Sequence, residues 1–266
     1  MQFNFFKFEG AGNDFILLDD RLCSFPADQE LLIQSLCHRQ KGIGADGLIL
    51  LQESNSADFR MRIFNSANGK EAAMCGNGLR CLIAFLCKLG MPEKEYRIET
   101  LAGILSAGFK NEQIFFSYPR PKIIRKSLQN VSLLLLDVGV PHAVLFVDQV
   151  EEMDVTKIGR EISLHSYFSA SNGVNVNFAQ LEAPNRVLAR TYERGVEAET
   201  LACGTGAAAI ALAAHEEYGL SNKIKIIPKS QEEIEVEISD LLEVAGPATF
   251  VYEGTINTLL MEKLYQ

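Results

Sequence analysis

Positive charge is scarce in this chain: 25 Lys and Arg stand against 34 Asp and Glu, for a net charge of −9 and a pI near 5.1. That balance argues against nucleic acid or an anionic membrane surface as a partner, and its ordinary effect is to keep a protein soluble. Long apolar runs are missing as well. Leu133 to Leu136 and Ala207 to Ala214 are too short to cross a bilayer, so no membrane association is expected. The opening Met1-Gln2-Phe3-Asn4-Phe5-Phe6-Lys7 has neither the basic stretch nor the apolar core of a signal peptide, which leads us to expect a cytoplasmic protein. Metal-ligand spacing is absent too. His38, His142, His165 and His215 form no His-Glu-x-x-His, and the six cysteines form no Cys-x-x-Cys, so no metal is expected. With 266 residues, 47% of them hydrophobic, the chain can build real cores without disulfide staples, and free thiols are expected.

What the chain does contain is a duplication. Arg62, Phe64-Asn65, Glu71 and Met74-Cys75-Gly76-Asn77-Gly78 recur as Arg190, Tyr192-Glu193, Glu199 and Ala202-Cys203-Gly204-Thr205-Gly206, at a constant offset of 203 − 75 = 128. Two weaker blocks accompany this one. Gly10-Ala11-Gly12-Asn13-Asp14-Phe15 matches Gly139-Val140-Pro141-His142-Ala143-Val144 at offset 129, which makes His142 the counterpart of Asn13. Gly42 to Gly47 matches Gly173 to Phe178 at offset 131. Three blocks in one order imply two homologous halves. Pro119-Arg120-Pro121-Lys122 interrupts the strand pattern and marks their boundary, giving halves of 1–118 plus about 255–266, and 119–254.

Short apolar or alternating runs bounded by turn residues predict strands at Phe59 to Phe64, Ile104 to Phe109, Gln113 to Tyr118, Leu133 to Val138 and Ile234 to Ile238. Helices are predicted from a cap at Asp28 to about His38, and from Thr156 or Lys157 to about His165. Two more follow the duplicated cysteines, Asn77 to Lys88 and Thr205 to Tyr218, each stopped by a glycine. Both are apolar around nearly their whole circumference, the mark of a buried helix. The fold class expected is therefore α+β, with two pseudo-twofold halves, each a strand-rich sheet or barrel wrapped around one central buried helix.

Cys75 and Cys203 each directly precede a helix start. The first amides of a helix lack internal partners and carry partial positive charge, so they favour a thiolate and can bind a carboxylate. Two such thiols can take a proton from one face of a carbon and return one to the other, the chemistry of a racemase or epimerase. A lone Cys-Gly-x-Gly would be weak evidence; two copies at matched positions are much stronger. Cys23, Cys37, Cys81 and Cys87 lack this context and read as core or incidental.

Those blocks, with Asn175-Val176-Asn177-Phe178 and Tyr192-Glu193-Arg194-Gly195, give the chain a close resemblance to the diaminopimelate epimerase family. The resemblance implies cofactor-independent interconversion of LL- and meso-diaminopimelate, a step supplying lysine and peptidoglycan synthesis. It implies Cys75 and Cys203 as the acid/base thiols, with Cys203 the acceptor and Cys75 the donor from LL to meso. It also implies Gly76 with Asn77 and Gly204 with Thr205 as a backbone cradle for the reacting carboxylate, and Asn13, Gly47, Asn65, Asn175, Glu193 and Arg194 around the rest of the substrate. His142 and Glu193 are implied to tune the cysteines, and the stretch near Phe250 to Tyr252 is implied to join a homodimer. Taken alone, most of these asparagines would read as turn formers. Gly47 stands where many family members have Gln, and Val140 where many have Asn before Pro-His. These departures open a further reading, a racemase of broader range acting for example on glutamate; a reading of another class, a non-catalytic amino-acid-binding protein of the same fold, is opposed by the intact cysteine pair.

Overall fold

The structure is a computed structural model that describes residues 2–110, 113–128 and 131–257. The chain divides into two compact units, Met1–Phe116 with Ala248–Gln266, and Ser117–Pro247.

In the first unit β1 (Gln2–Gly10) and β2 (Asn13–Asp19) form an antiparallel hairpin. The helix α1 (Glu30–Cys37) then crosses to β3 (Gly47–Gln52), parallel to β2, as a parallel pair requires. Two antiparallel steps lead from β3 to β4 (Phe59–Asn65) and on to β5 (Glu71–Ala72). The helix α2 (Gly76–Lys88) crosses to β6 (Glu95–Thr100), parallel to β4, and β7 (Gly103–Lys110) pairs antiparallel with β6. The chain leaves this unit within β8 (Gln113–Pro119).

The second unit runs through the same steps. After β9 (Ile124–Leu128), β10 (Val131–Asp137) and β11 (Pro141–Phe146) form an antiparallel hairpin. The helix α3 (Val155–Ser163) crosses to β12 (Asn175–Ala183), parallel to β11. Antiparallel steps give β13 (Arg186–Glu193) and β14 (Ala198–Thr200). The helix α4 (Gly204–Tyr218) crosses to β15 (Lys223–Ile227), parallel to β13, and β16 (Ile234–Ile238) and β17 (Leu241–Gly246) follow antiparallel. The order of pairing senses is thus identical in the two units. The last strand, β18 (Thr249–Asn257), pairs antiparallel with β1 from Glu9↔Thr249 to Gln2↔Asn257. That register brings the return into the first unit from residue 248, earlier than the position near 255 suggested by the sequence. Residues 258–266, which the sequence assigned to the first half, lie outside the described residues.

Each unit wraps its strands around one helix. α2 lies against β1 to β4, β7 and β18, and α4 against β10 to β13 and β15 to β17. Their buried stretches run from Gly76 to Ile83 and from Gly204 to Ala214 without a break. In α4 the small side chains of Ala207, Ala208, Ala209, Ala211, Ala213 and Ala214 let strands pack closely on every side. The expected α+β class with two buried central helices is therefore observed. Both helices start one residue before the predicted positions, at Gly76 and Gly204. α1 starts after Gln29 with no side-chain cap, so Asp28 does not serve as one. Asp154 does cap α3, accepting from the Lys157 amide at 3.1 Å.

The ladders also correct two of the offsets read from the sequence. Leu48 pairs with Phe64, and Val176 with Tyr192, which keeps β3 and β12 at offset 128. Ile16 pairs with Leu48 and Ala143 with Val176, so β2 and β11 correspond at 143 − 16 = 127. His142 is therefore the counterpart of Phe15, and Val140 that of Asn13; the unpaired hairpin loop is Ala11 and Gly12 in the first unit and Val138, Gly139 and Val140 in the second. Matching glycine to glycine in the two loops displaced the alignment, because an apolar run after a turn fits almost as well at neighbouring offsets.

Candidate active site

Cys75 and Cys203 are the N-cap residues of α2 and α4, each in extended backbone, at φ −145°, ψ 120° and φ −127°, ψ 110°. Each sulfur accepts the amide of the residue three ahead: Gly78 N–H at 3.5 Å to Cys75 Sγ, and Gly206 N–H at 3.3 Å to Cys203 Sγ. A thiol here does what a capping oxygen does elsewhere, and it sits in the positive field of the helix start. The strands leading into both caps are pinned by duplicated ion pairs. Arg62 grips Glu71 through two hydrogen bonds of 3.0 and 2.7 Å, and Arg190 grips Glu199 at 2.6 and 2.9 Å. Arg190 Nη1 also donates to the carbonyls of Val150, Glu151 and Met153.

In the first unit, Asn13 and Asn77 lie beside Cys75. Asn13 Nδ2 donates to the Asp46 carboxylate at 2.7 Å, which turns Oδ1 toward the cysteine. That oxygen is 3.8 Å from Cys75 Sγ and 3.5 Å from Asn77 Nδ2, and Asn77 is itself held by Arg80 Nη2 at 2.9 Å. Asn77 and Arg80 are both buried, and Arg80 was not singled out by the sequence reading, since one basic residue in an apolar helix carries no functional signature. Behind Asn13, Asp14 binds Lys7 at 2.6 Å and Arg39 at 2.7 Å. Burial works to raise the Asp14 pKa, but hydrogen bonds and charge from Arg39 and Lys7 outweigh it and hold the group at about 2.

Gly47 and Asn65 face each other as partners at the ends of β3 and β4. A Cβ at Gly47 would lie 2.7 Å from the Phe64 carbonyl oxygen and 3.4 Å from the Phe15 ring, so this backbone has no room for a side chain there. Gly76 is equally confined, with a Cβ falling 2.6 Å from the Phe116 ring.

In the second unit a chain of polar contacts runs inward from Cys203. Its sulfur is 3.3 Å from Thr205 Oγ1, which is 2.9 Å from His142 Nε2. His142 Nδ1 is 3.0 Å from Asn177 Nδ2. Burial drives the His142 pKa down to about 3, against the contact with Asn177 and with the Arg194 charge acting in the same direction as burial, so the imidazole is neutral. Asn175 Nδ2 lies 3.5 Å from His142 Nε2 and its Oδ1 accepts the Arg194 amide at 3.0 Å. The Arg194 guanidinium donates to the Ser171 and Gly173 carbonyls. Glu193 Oε1 accepts from Thr200 Oγ1 at 2.6 Å.

Of the sequence-predicted residues, Asn13, Asn77 and Cys75 come together in one unit, and His142, Asn175, Thr205 and Cys203 in the other, with Arg194 joined through Asn175; Gly47 and Asn65 pair with each other, and Glu193 binds Thr200. Asn177 was not singled out. Its signal was available, because alternation along β12 puts Asn175 and Asn177 on one face. The remaining cysteines lie elsewhere: burial pushes the Cys37 thiol up to about 12 and raises those of Cys81 and Cys87, and Cys23 is exposed. Among the described residues no three His, Cys, Asp or Glu side chains are grouped to hold a metal ion, and no helix is long and apolar enough to cross a membrane.

Known proteins share the fold and the sequence family. Among solved structures, the chain is similar to a phenazine biosynthesis protein of the PhzF family from Bacillus anthracis, with a TM-score of 0.73 at 15% identity over 97% of this chain and 99% of that one. It is similar to a hydroxyproline epimerase from Agrobacterium vitis, with a TM-score of 0.69 at 15% identity over 96% and 92%. At that identity these likenesses show the fold. Sequence relatives are nearer. The diaminopimelate epimerase of Chlorobaculum tepidum is 40% identical over 93% of this chain and 98% of its own, and that of Flavobacterium psychrophilum 38% identical over 94% and 99%. The profile described as diaminopimelate epimerase matches residues 5–118 and again 134–251, one stretch for each cysteine, and with these relatives it shows that the chain belongs to the diaminopimelate epimerase family.

Proposed function

We propose that this enzyme, an isomerase, inverts one α-carbon of diaminopimelate, converting the LL to the meso form and back, with Cys75 and Cys203 as its acid and base. The observation that carries the reading is the pair of N-cap thiols at equivalent positions of two duplicated units, 203 − 75 = 128. One sulfur begins as thiolate and takes the α-proton; the other begins as thiol and delivers its proton to the opposite face of the same carbon. In the LL-to-meso direction Cys203 is the acceptor and Cys75 the donor, and the roles exchange in reverse.

An α-proton is weakly acidic, so the charge left on the substrate must be stabilised as it forms. The amides at Gly76 with Asn77 and at Gly204 with Thr205 open the two helices and suit an α-carboxylate. Asn13, Asn65, Asn175, Glu193 and Arg194 supply donors and acceptors for the ammonium groups and the second carboxylate, with Gly47 contributing backbone alone. His142, being neutral, acts on Cys203 through Thr205, and Glu193 adds a negative charge in the same unit. No cofactor takes part. The enzyme works in the cytoplasm on a precursor of lysine and peptidoglycan, and forms a homodimer through β18, where Phe250, Val251 and Tyr252 are 37%, 51% and 41% exposed.

The test is epimerisation of LL-diaminopimelate in heavy water followed by NMR. Early product is expected to carry deuterium at the inverted centre while recovered substrate carries little, and Cys75→Ala and Cys203→Ala are each expected to abolish turnover. Full activity in either variant would sink the two-thiol mechanism. A non-catalytic binding protein of the same fold would exchange no α-proton at all.

A further inference from the structure

We infer that Asn177 is a positioning residue that fixes the tautomer of His142 and, through Thr205, the direction of the hydrogen bond reaching Cys203. The inference rests on Cys203 being one of the two acid/base thiols. Asn177 lies on β12 and is wholly buried. Its amide orientation follows from its neighbours. The Ala143 carbonyl can only accept, so the Asn177 atom 3.0 Å from it must be Nδ2. Thr191 Oγ1 donates to Oδ1 at 3.0 Å on the other side. The same Nδ2 is 3.0 Å from His142 Nδ1, which must therefore present a lone pair. A neutral imidazole with a bare Nδ1 carries its proton on Nε2.

That proton points at Thr205 Oγ1, 2.9 Å away. A hydroxyl oxygen that accepts from the imidazole keeps its own hydrogen for another partner, and Cys203 Sγ is 3.3 Å off. Cys203 then faces two donors, the Thr205 hydroxyl and the Gly206 amide, an arrangement that suits a thiolate. The opposite tautomer would set Nδ1–H against the Asn177 amide hydrogens at 3.0 Å. The tautomer inferred here meets Asn175 Nδ2 only at 3.5 Å, and the shorter clash decides. Gly206 belongs to the same device, since a Cβ there would fall 2.5 Å from Asn177 Oδ1.

Two measurements on the whole chain test this without using turnover. The first is 15N NMR of the imidazoles, with the His142 signal assigned by its loss in His142→Gln. Wild type is expected to show the proton on Nε2, and Asn177→Asp to acquire one on Nδ1, because a carboxylate oxygen there accepts. The second is the rate at which iodoacetamide alkylates Cys203 near neutral pH, read by peptide mass spectrometry. Removing a hydrogen bond to a charged sulfur should slow it about tenfold in Thr205→Val, while Thr205→Ser, which restores the hydroxyl, stays within about twofold of wild type. If Asn177→Asp fails to fold, the wild-type spectrum and the Thr205 pair still decide. A wild-type His142 protonated on Nδ1, or equal alkylation of Cys203 in wild type and Thr205→Val, would overturn the inference. The expected tautomer and a reactive Cys203 in a protein without α-proton exchange would support the inference and remove the catalytic reading instead.

Discussion

Gly78 and Gly206 occupy the same place in the two units, 206 − 78 = 128, at the third residue of α2 and α4, yet an alanine should act oppositely at the two. Neither has a positive φ, so backbone strain is not the issue, and alanine in place of glycine should favour either helix by about 0.5–1 kcal/mol. The surroundings decide the rest. At Gly78 the new Cβ would meet Ile49 Cδ1 and Ile63 Cδ1 at 3.0 Å, both mobile ends of side chains that can give way. At Gly206 it would meet Asn177 Oδ1 at 2.5 Å and Cys203 Sγ at 3.2 Å. The Asn177 amide would have to move, leaving buried partners among Thr191, Ala143 and His142 without it. A buried polar group stripped of its partner costs about 1–3 kcal/mol, so one or two such losses outweigh the helix gain. Gly206→Ala should therefore lose about 2–4 kcal/mol, and Gly78→Ala should stay within about 1 kcal/mol of wild type. In urea, with a slope of about 1–3 kcal/mol per molar, the Gly206→Ala midpoint should fall by about 1 M or more. Epimerisation should drop in Gly206→Ala and persist in Gly78→Ala. Equal stability and equal turnover in the two variants would refute the reasoning.

Three further outcomes follow from the same contacts. Arg190→Met should cost more than Arg62→Met in urea melts: about 2–4 kcal/mol for Arg190, whose partners are Glu199 and the carbonyls of Val150, Glu151 and Met153, with Lys229 still holding Glu199 at 2.7 Å, against about 1–2 kcal/mol for the more screened Arg62–Glu71 pair. Comparable losses would show that the backbone carbonyls held by Arg190 add nothing. Asp14 has a depressed folded pKa, so its contribution is present above the unfolded value near 3.8 and lost as pH falls toward about 2. The stability gap between wild type and Asp14→Asn should be flat above about pH 5 and narrow between pH 4 and 2; a constant gap across that window would contradict the assignment. Finally, the lack of room for a side chain at Gly47 leaves Val140 as the departure open to repair. Val140→Asn should leave diaminopimelate turnover intact and lower any glutamate exchange, and a wild type inert toward glutamate would end the broader-range reading.

The buried helices and the duplicated blocks were legible because their signals are local. A helix apolar all round has one stable environment, and a cysteine before Gly-x-Gly keeps its meaning wherever the strands go. The correspondence between His142 and Phe15 was not legible, because it depends on which residue of β2 faces which residue of β3, and hairpin loops of unequal length leave that open. The confinement of Gly47 was hidden for the same reason: the Phe64 carbonyl that closes on it lies on the next strand. Asn177 was overlooked because a sequence gives the face of a side chain and not its partner.

Under the proposed chemistry the duplication raises a difficulty that the two units resolve. Identical halves would offer two identical thiols, whereas inversion must start with one protonated and one bare. The differences fall at equivalent positions next to the sulfurs. The first unit has Asn13 where the second has Val140, and Asn77 where the second has Thr205. Asn13 donates an amide hydrogen to Asp46 and turns an acceptor toward Cys75, which suits a thiol with a hydrogen to give. The second unit has no acceptor from that position. Under the tautomer inferred above, it has a histidine whose Nε2–H donates a hydrogen bond to Thr205, and a hydroxyl thereby aimed at Cys203. On this proposal the duplicated fold makes the thiols equivalent in place, and a few unmatched side chains are what would make them unequal in charge. Exchanging those side chains, by Thr205→Asn with Asn77→Thr, should therefore disturb turnover more than either unit's stability, and a swapped enzyme with unchanged turnover in both directions would show that the polarity comes from elsewhere.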